Sequence, residues 1–134
     1  MKQPRYSIGI DLGTTNSALA YVDAENPQSR ILPIAQYRGP GLLGDEEILP
    51  SALYLASESE GVDIYNLDFQ TDLHPARYVV GSFAREQAAR LPDRVVQSAK
   101  SWLCHGQIDR EAKLLPWGTE EVAERQKMSP VEVS

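Results

Sequence analysis

Three features of the amino-acid sequence predict an α/β fold. Apolar residues alternate at Ile8, Ile10 and Leu12, which is the period of a β-strand with one buried face. Further short β-prone runs follow as far as residue 80. Residues 82–91 and 93–104 then carry apolar side chains at helical spacing. Strands and helices combined in this way are typical of a mixed α/β domain.

Length and composition fit one globular domain. The chain has 134 residues, of which 42% are hydrophobic and 24% are charged, so it has enough apolar material for a core. The formal net charge of −6 disfavours non-specific binding to nucleic acid or to anionic membranes. The single cysteine, Cys104, has no partner for an internal disulfide, and neither a signal peptide nor a membrane span is evident. We therefore expect a cytoplasmic protein.

The segment 8–17, with the sequence IGIDLGTTNS, contains the most specific motif. A strand that ends near Leu12 is followed by the polar turn Gly13, Thr14, Thr15 and Asn16, and β-prone residues resume after it. Glycine permits a positive φ and close approach of the backbone, and the amides and hydroxyls of the turn can surround an anion. Asp11 would repel that anion unless a hydrated Mg²⁺ lay between them. The turn is therefore predicted to bind phosphate and magnesium.

The turn lacks the lysine that a Walker loop carries, so the positive charge must come from another part of the chain. Lys100 is the best candidate, because it lies at the margin of the apolar stripe of the predicted helix 93–104 and not in a run of charges. The ordinary alternatives are a hairpin with a polar turn and a solvent-exposed lysine.

Several short strands are predicted after the opening hairpin. Residues 30–37 form a third strand, which Pro33 either interrupts or confines to a sheet edge. Short strands follow at 51–56 and 78–80, and the residues 62–75 between them are expected to be irregular.

A glycine-rich run at residues 39–44 formally matches G-x-G-x-x-G. The dinucleotide-binding interpretation requires a helix to begin there, but acidic residues follow and Pro50 stops the run. We therefore interpret residues 39–44 as a plain loop.

Helical patterns dominate the second half of the chain. Helices are predicted at 82–91, 93–104 and 119–127 from their apolar spacing and from polar or acidic residues at their first turns. Residues 129–132, Ser-Pro-Val-Glu, form a capping box with proline at the first helical position. Because this helix-start signal comes just before Ser134, we expect the chain to be the front portion of a longer polypeptide.

Several stretches together carry a resemblance to a known family. They are IGIDLGTTNS at 8–17, Leu49-Pro50-Ser51 before a strand, Val80-Gly81 with Ala84 beginning a helix, VQSAK at 96–100 and SPVEVS at 129–134. In order and approximate spacing they resemble the DnaK-like seventy-kilodalton heat-shock chaperones of the actin and sugar-kinase ATPase superfamily. The resemblance covers most of the chain discontinuously.

This resemblance implies a ribonuclease H-like, actin-like ATPase fold that is only partly present. Residues 1–38 would supply the first strands of the nucleotide-binding core, and residues 39–128 would form the smaller lobe. Residues 129–134 would begin a helix that returns to the core.

The resemblance also implies ATP or ADP with Mg²⁺ as ligands. Asp11 would hold Mg²⁺ through water. Gly13, Thr14, Thr15 and Asn16 would line the β- and γ-phosphates. Lys100 matches the catalytic lysine, which would stabilise the charge that develops on the transferred phosphoryl group.

For function, the resemblance implies a stress-response chaperone that hydrolyses ATP to control binding of unfolded polypeptides. Its partners would include a J-domain co-chaperone and a nucleotide-exchange factor. The 134-residue chain alone is expected to turn over ATP poorly. Ser101 stands where the family commonly has arginine, and residues 56–77 exceed the usual connection, which suggests a divergent bacterial-type homologue. The alternatives are a sugar-kinase-type phosphotransferase and a non-enzymatic partner-binding module.

The remaining candidates have simpler interpretations. Cys104 and His105 are two adjacent potential metal ligands, with His74 far off in sequence, whereas a structural zinc site needs four. Trp102 and Trp117 are interpreted as packing residues and not as a binding platform.

Overall fold

A computed structural model describes residues 4–60 and 78–134, which form three small antiparallel sheets and a few short helices. The first sheet has the order β1-β2-β3, and β6 pairs with the other end of β2. Its strands are β1 (Tyr6–Leu12), β2 (Asn16–Asp23), β3 (Asn26–Ile31) and β6 (Leu49–Pro50).

The opening hairpin is confirmed. β1 pairs antiparallel with β2 in a continuous register that runs from Tyr6 opposite Asp23 to Leu12 opposite Ser17. The turn between them therefore lies where the sequence predicted it. The alternating residues of β1 do not face a core, however, because Ile8, Ile10 and Leu12 are more than 60% exposed.

The second sheet is a hairpin of β4 (Ile34–Gly39) and β5 (Leu42–Glu46). The sequence predicted that Pro33 would either interrupt the strand 30–37 or confine it to a sheet edge. The strand is interrupted, because β3 ends before Pro33 and β4 begins after it. The glycine-rich run 39–44 forms the turn and the start of β5. No helix begins there.

The third sheet contains the core and has the order β8-β7-β9. Its strands are β7 (Ala52–Leu55), β8 (Tyr78–Val80) and β9 (Val95–Gln97). Adjacent residues of β7 enter different apolar clusters: Tyr54 packs edge-on to Phe83 at 6.0 Å between ring centroids, whereas Leu53 lies in a cluster with Val96. The strand is therefore buried on both faces, as the period of a strand allows.

Three short α-helices are present in the described parts of the chain, and they are α1 (Ser82–Gln87), α2 (Lys100–Leu103) and α3 (Pro130–Val133). The capping box predicted for α3 is confirmed, because Ser129 and Glu132 exchange side-chain to backbone hydrogen bonds. In the described parts, the helices lack the length and apolar character that a membrane span requires.

The predicted helix 93–104 is wrong over its first half. Val95 and Val96 form β9 opposite Tyr54 and Leu53, and Ser98 then adopts a positive φ of 54° before α2 begins. Two adjacent β-branched residues suit a pleated strand, and their side chains enter the two different clusters. The apolar spacing of this segment is compatible both with the period of an α-helix and with that of a β-strand.

The predicted helix 119–127 is also wrong. Only a single 3₁₀ turn forms there, at Glu124–Gln126. Leu115 instead makes an antiparallel bridge with Met128, and their backbones exchange hydrogen bonds at 2.9 Å.

These differences correct the predicted fold class. Instead of an α/β, ribonuclease H-like or actin-like ATPase fold, the described residues form mainly small antiparallel sheets, and their strand pairs are all antiparallel. The α/β prediction relied on long helices at 82–91 and 93–104. In the structure α1 ends at Gln87, and α2 has only 4 residues. The segment 62–75, expected to be irregular, lies outside the described residues, and the proposed boundaries at 38 and 128 remain predictions.

Candidate functional site

The turn between β1 and β2 requires glycine at residue 13. A Cβ atom added there would collide with the backbone carbonyl oxygen of Asn16, and it would lie 3.3 Å from the Asn16 carbonyl carbon. Gly13 does not have a positive φ, so close approach of the backbone is the reason for glycine here. Thr14 and Thr15, at the tip of the turn, are exposed.

Ser51, in the bend between β6 and β7, makes two hydrogen bonds to this turn. Its hydroxyl donates to the carbonyl of Gly13 at 2.8 Å, and its backbone N–H donates to the carbonyl of Thr15, also at 2.8 Å. β6 continues the contact, with Pro50 opposite Asn16.

Lys100, the predicted cation, lies beside the turn. Its Nζ donates a hydrogen bond to the carbonyl of Leu12, although 88 positions separate the two residues in sequence. Lys100 is the first residue of α2 and remains exposed. Among residues 4–60 and 78–134, no carboxylate lies within ion-pair distance of it. Its charge is therefore available to an anion.

A pocket of about 250 Å³ opens at the same place. Its lining includes Leu12, Gly13 and Lys100, and also Val133 and Ser134 from the end of α3. Ser17 and Ser51 add hydroxyl groups, and the rest of the lining is apolar. The volume lies below the usual ~300–1,000 Å³ of a site for a drug-sized ligand. Of the four predicted phosphate-binding residues, only Gly13 lines the pocket, and Thr14, Thr15 and Asn16 do not.

Asp11 is exposed on β1, paired with Ala18 in the β1–β2 register. It does not line the pocket. Within the described residues, no group of three or more His, Cys, Asp or Glu residues is arranged to hold a metal ion directly. A contact between Asp11 and Mg²⁺ through water remains a prediction.

Asn16 shows an unsatisfied group at the turn. Its Oδ1 is buried, and within the described parts of the chain it has no hydrogen-bond partner. A buried carbonyl oxygen without a donor costs free energy, so a donor at this point would be favourable. The water shell of a cation such as Mg²⁺ offers donors of this kind. Together with the Lys100 amine and the hydroxyls, the residues present fit a hydrated cation and a phosphate.

The weaker candidates that the structure describes do not line the pocket at the turn. Cys104 is a free, exposed thiol next to His105, and His74 lies outside the described residues. Trp102 and Trp117 contact each other with ring centroids 5.5 Å apart. Trp117 packs against Trp102, but it is 64% exposed and is therefore not a core residue.

The clearly shifted pKa values lie outside the turn. In α3, the pKa of Glu132 is lowered because its carboxylate accepts the backbone N–H of Ser129. At the far end of β2, the pKa of Asp23 is lowered by the backbone N–H of Glu25 and by Arg5, and the pKa of Arg5 is raised in turn.

Ser51 is the residue that sequence reasoning missed. It is part of the segment Leu49-Pro50-Ser51, but nothing in the sequence assigns it a role. Its contact with Gly13 spans 38 positions, so only the folded chain reveals it.

A scan of the sequence against models of protein families found no matching family.

Proposed function

We propose that the turn of Gly13, Thr14, Thr15 and Asn16 binds the phosphate groups of Mg-ATP, with Lys100 as the cation. The observation that carries the proposal is the hydrogen bond from Lys100 Nζ to Leu12, the residue just before the turn. The sequence alone required a cation from elsewhere in the chain, and the uncompensated lysine beside this turn meets that requirement.

Each residue has a distinct part in the proposed site. Lys100 attracts the phosphate and stabilises the charge that develops on it during transfer. Thr14 and Thr15 donate hydrogen bonds from their hydroxyls. Asp11 orients water around Mg²⁺, which supplies further charge neutralisation when it is bound.

We further propose that this site serves a cytoplasmic, ATP-hydrolysing chaperone of the DnaK-like kind. Support comes from the resemblance of the segments 8–17, 96–100 and 129–134 and from the proximity of Lys100 to the first of them. ATP hydrolysis would control the binding of unfolded polypeptides, and a J-domain co-chaperone and a nucleotide-exchange factor would be partners.

Substitution of Lys100 tests the phosphate site. Lys100→Met keeps the length of the side chain but removes its charge, and we expect the affinity of the chain for Mg-ATP, measured by calorimetry, to fall at least tenfold. Lys113→Met is the matched control, because Lys113 is also exposed and lies in a different pocket. Equal affinities of the wild type and Lys100→Met would contradict the proposal.

A second assay separates the chaperone from its alternatives. ATP is supplied with either a panel of sugars or an unfolded peptide, and the products are analysed. A phosphorylated sugar would favour a kinase of the sugar-kinase type. Two results together would favour a non-enzymatic module. The wild type would neither bind nor hydrolyse ATP, and the Lys100→Met variant would still bind its partner normally.

A further inference from the structure

Ser51 contacts three points of the proposed site with three different atoms. Its Oγ and its backbone N–H hold the carbonyls of Gly13 and Thr15. Its own carbonyl accepts the backbone N–H of Ser98 at 3.2 Å. The residue is half-buried between the two segments that it joins.

The two contacts with the turn determine the orientation of the amides that would bind phosphate. A trans peptide unit is planar, so its carbonyl and the following N–H point in opposite directions. When Ser51 holds the carbonyl of Gly13, it also directs the N–H of Thr14 away from itself. The same relation links the carbonyl of Thr15 to the N–H of Asn16. Ser51 thus fixes the direction of two amide donors in the turn.

The third contact concerns the cation. Ser98 has a positive φ of 54° and lies between β9 and α2, two positions before Lys100. Its N–H donates to Ser51, and its carbonyl accepts the N–H of Ser101 at 3.0 Å in the first turn of α2. The position of Lys100 relative to the turn is therefore set through Ser51.

We infer that Ser51 is a positioning residue of the phosphate site, which aligns the amides of the turn and fixes the start of the helix that carries Lys100. The inference rests on the proposed function of the turn. The backbone contacts of Ser51 survive any substitution by another L-residue other than proline, so the hydroxyl bond to Gly13 is the part that mutation can remove.

The test compares Ser51→Ala with Ser51→Thr, which keeps the hydroxyl, and with Ser7→Ala, an exposed serine on β1. We expect Ser51→Ala to shift the backbone amide resonances of Gly13 and Thr14 in the full chain without ligand. We also expect it to lower the affinity for Mg-ATP about tenfold. Ser51→Thr should restore both values, and Ser7→Ala should leave both unchanged.

The possible outcomes distinguish this inference from the proposed function. If the wild type binds Mg-ATP and Ser51→Ala binds it equally well with unshifted amides, Ser51 does not position the site, and the proposed function stands. If the wild type does not bind Mg-ATP, the proposed function fails, and the inference fails with it. If Ser51→Ala does not fold, wild-type affinity in Ser51→Thr supports a role of the hydroxyl, and lost affinity in that folded variant overturns it.

Discussion

The close backbone contact at Gly13 can be tested by adding a single methyl group. We expect Gly13→Ala to destabilise the chain by about 1–3 kcal/mol, because its Cβ would collide with the backbone carbonyl of Asn16. The measurement is urea denaturation. Gly9→Ala, on the adjacent strand, is the control, because a Cβ at Gly9 meets nothing within 4 Å. If both variants lost the same stability, the crowding at Gly13 would not be real.

Lys100 illustrates what sequence reasoning achieves at the scale of single residues. Its role as the cation of the turn was predicted from an electrostatic requirement and stays a prediction, and the structure places its amine on the carbonyl of Leu12. The predicted helix 93–104 is replaced by β9 at Val95–Gln97, but Lys100 itself still lies on a helix, as the first residue of α2. The need for a cation near an anion is local chemistry, whereas the choice between helix and strand depends on distant pairing.

The capping box of α3 is the element with the clearest dependence on pH. Hydrogen bonding to Ser129 lowers the pKa of Glu132 from its ordinary value of 4.5. A lowered pKa in the folded state means that the ionised carboxylate stabilises the fold above about pH 4.5, and this stabilisation is lost as the pH falls through the folded pKa. Because the carboxylate is largely exposed, we expect the effect to be below about 1 kcal/mol.

The experiment compares the free energy of unfolding of the wild type and of Glu132→Gln at several pH values. Glutamine keeps a hydrogen bond to Ser129 without titrating, so the two curves should converge as the pH falls below 4.5. Glu120→Gln is the control, an exposed carboxylate without a side-chain hydrogen bond to the described residues. A constant difference between wild type and Glu132→Gln at every pH would contradict the assignment.

Other elements show why part of the fold was unpredictable. The hairpin of β1 and β2 and the box at Ser129 are encoded by residues close together in sequence, and both were predicted. β9 is decided by its pairing with β7, more than 40 positions earlier, and the local pattern could not reveal it. The bridge between Leu115 and Met128 likewise joins residues that the local pattern does not connect.

At the scale of the molecule, the distribution of apolar side chains separates two regions. In the sheet β8-β7-β9, the central strand β7 is buried on both faces. In contrast, the alternating residues Ile8, Ile10 and Leu12 of β1 are mostly exposed. The alternation in β1 correctly predicted a strand. The prediction that one face of this strand would be buried is wrong for the described residues, because none of them covers it. The proposed phosphate site lies between the two regions, because Leu12 ends the exposed strand and α2 follows the buried sheet.

This difference predicts unequal costs for the same substitution. Leu53 in β7 is 4% exposed and Leu42 in β5 is 60% exposed, so the two leucines form a matched pair. We expect Leu53→Ala to lower the free energy of unfolding by about 2–5 kcal/mol, because it removes buried contacts and leaves a cavity. Leu42→Ala should cost less than about 1 kcal/mol. Urea denaturation measures both variants, and a larger loss for Leu42→Ala would mean that the core is not centred on β7.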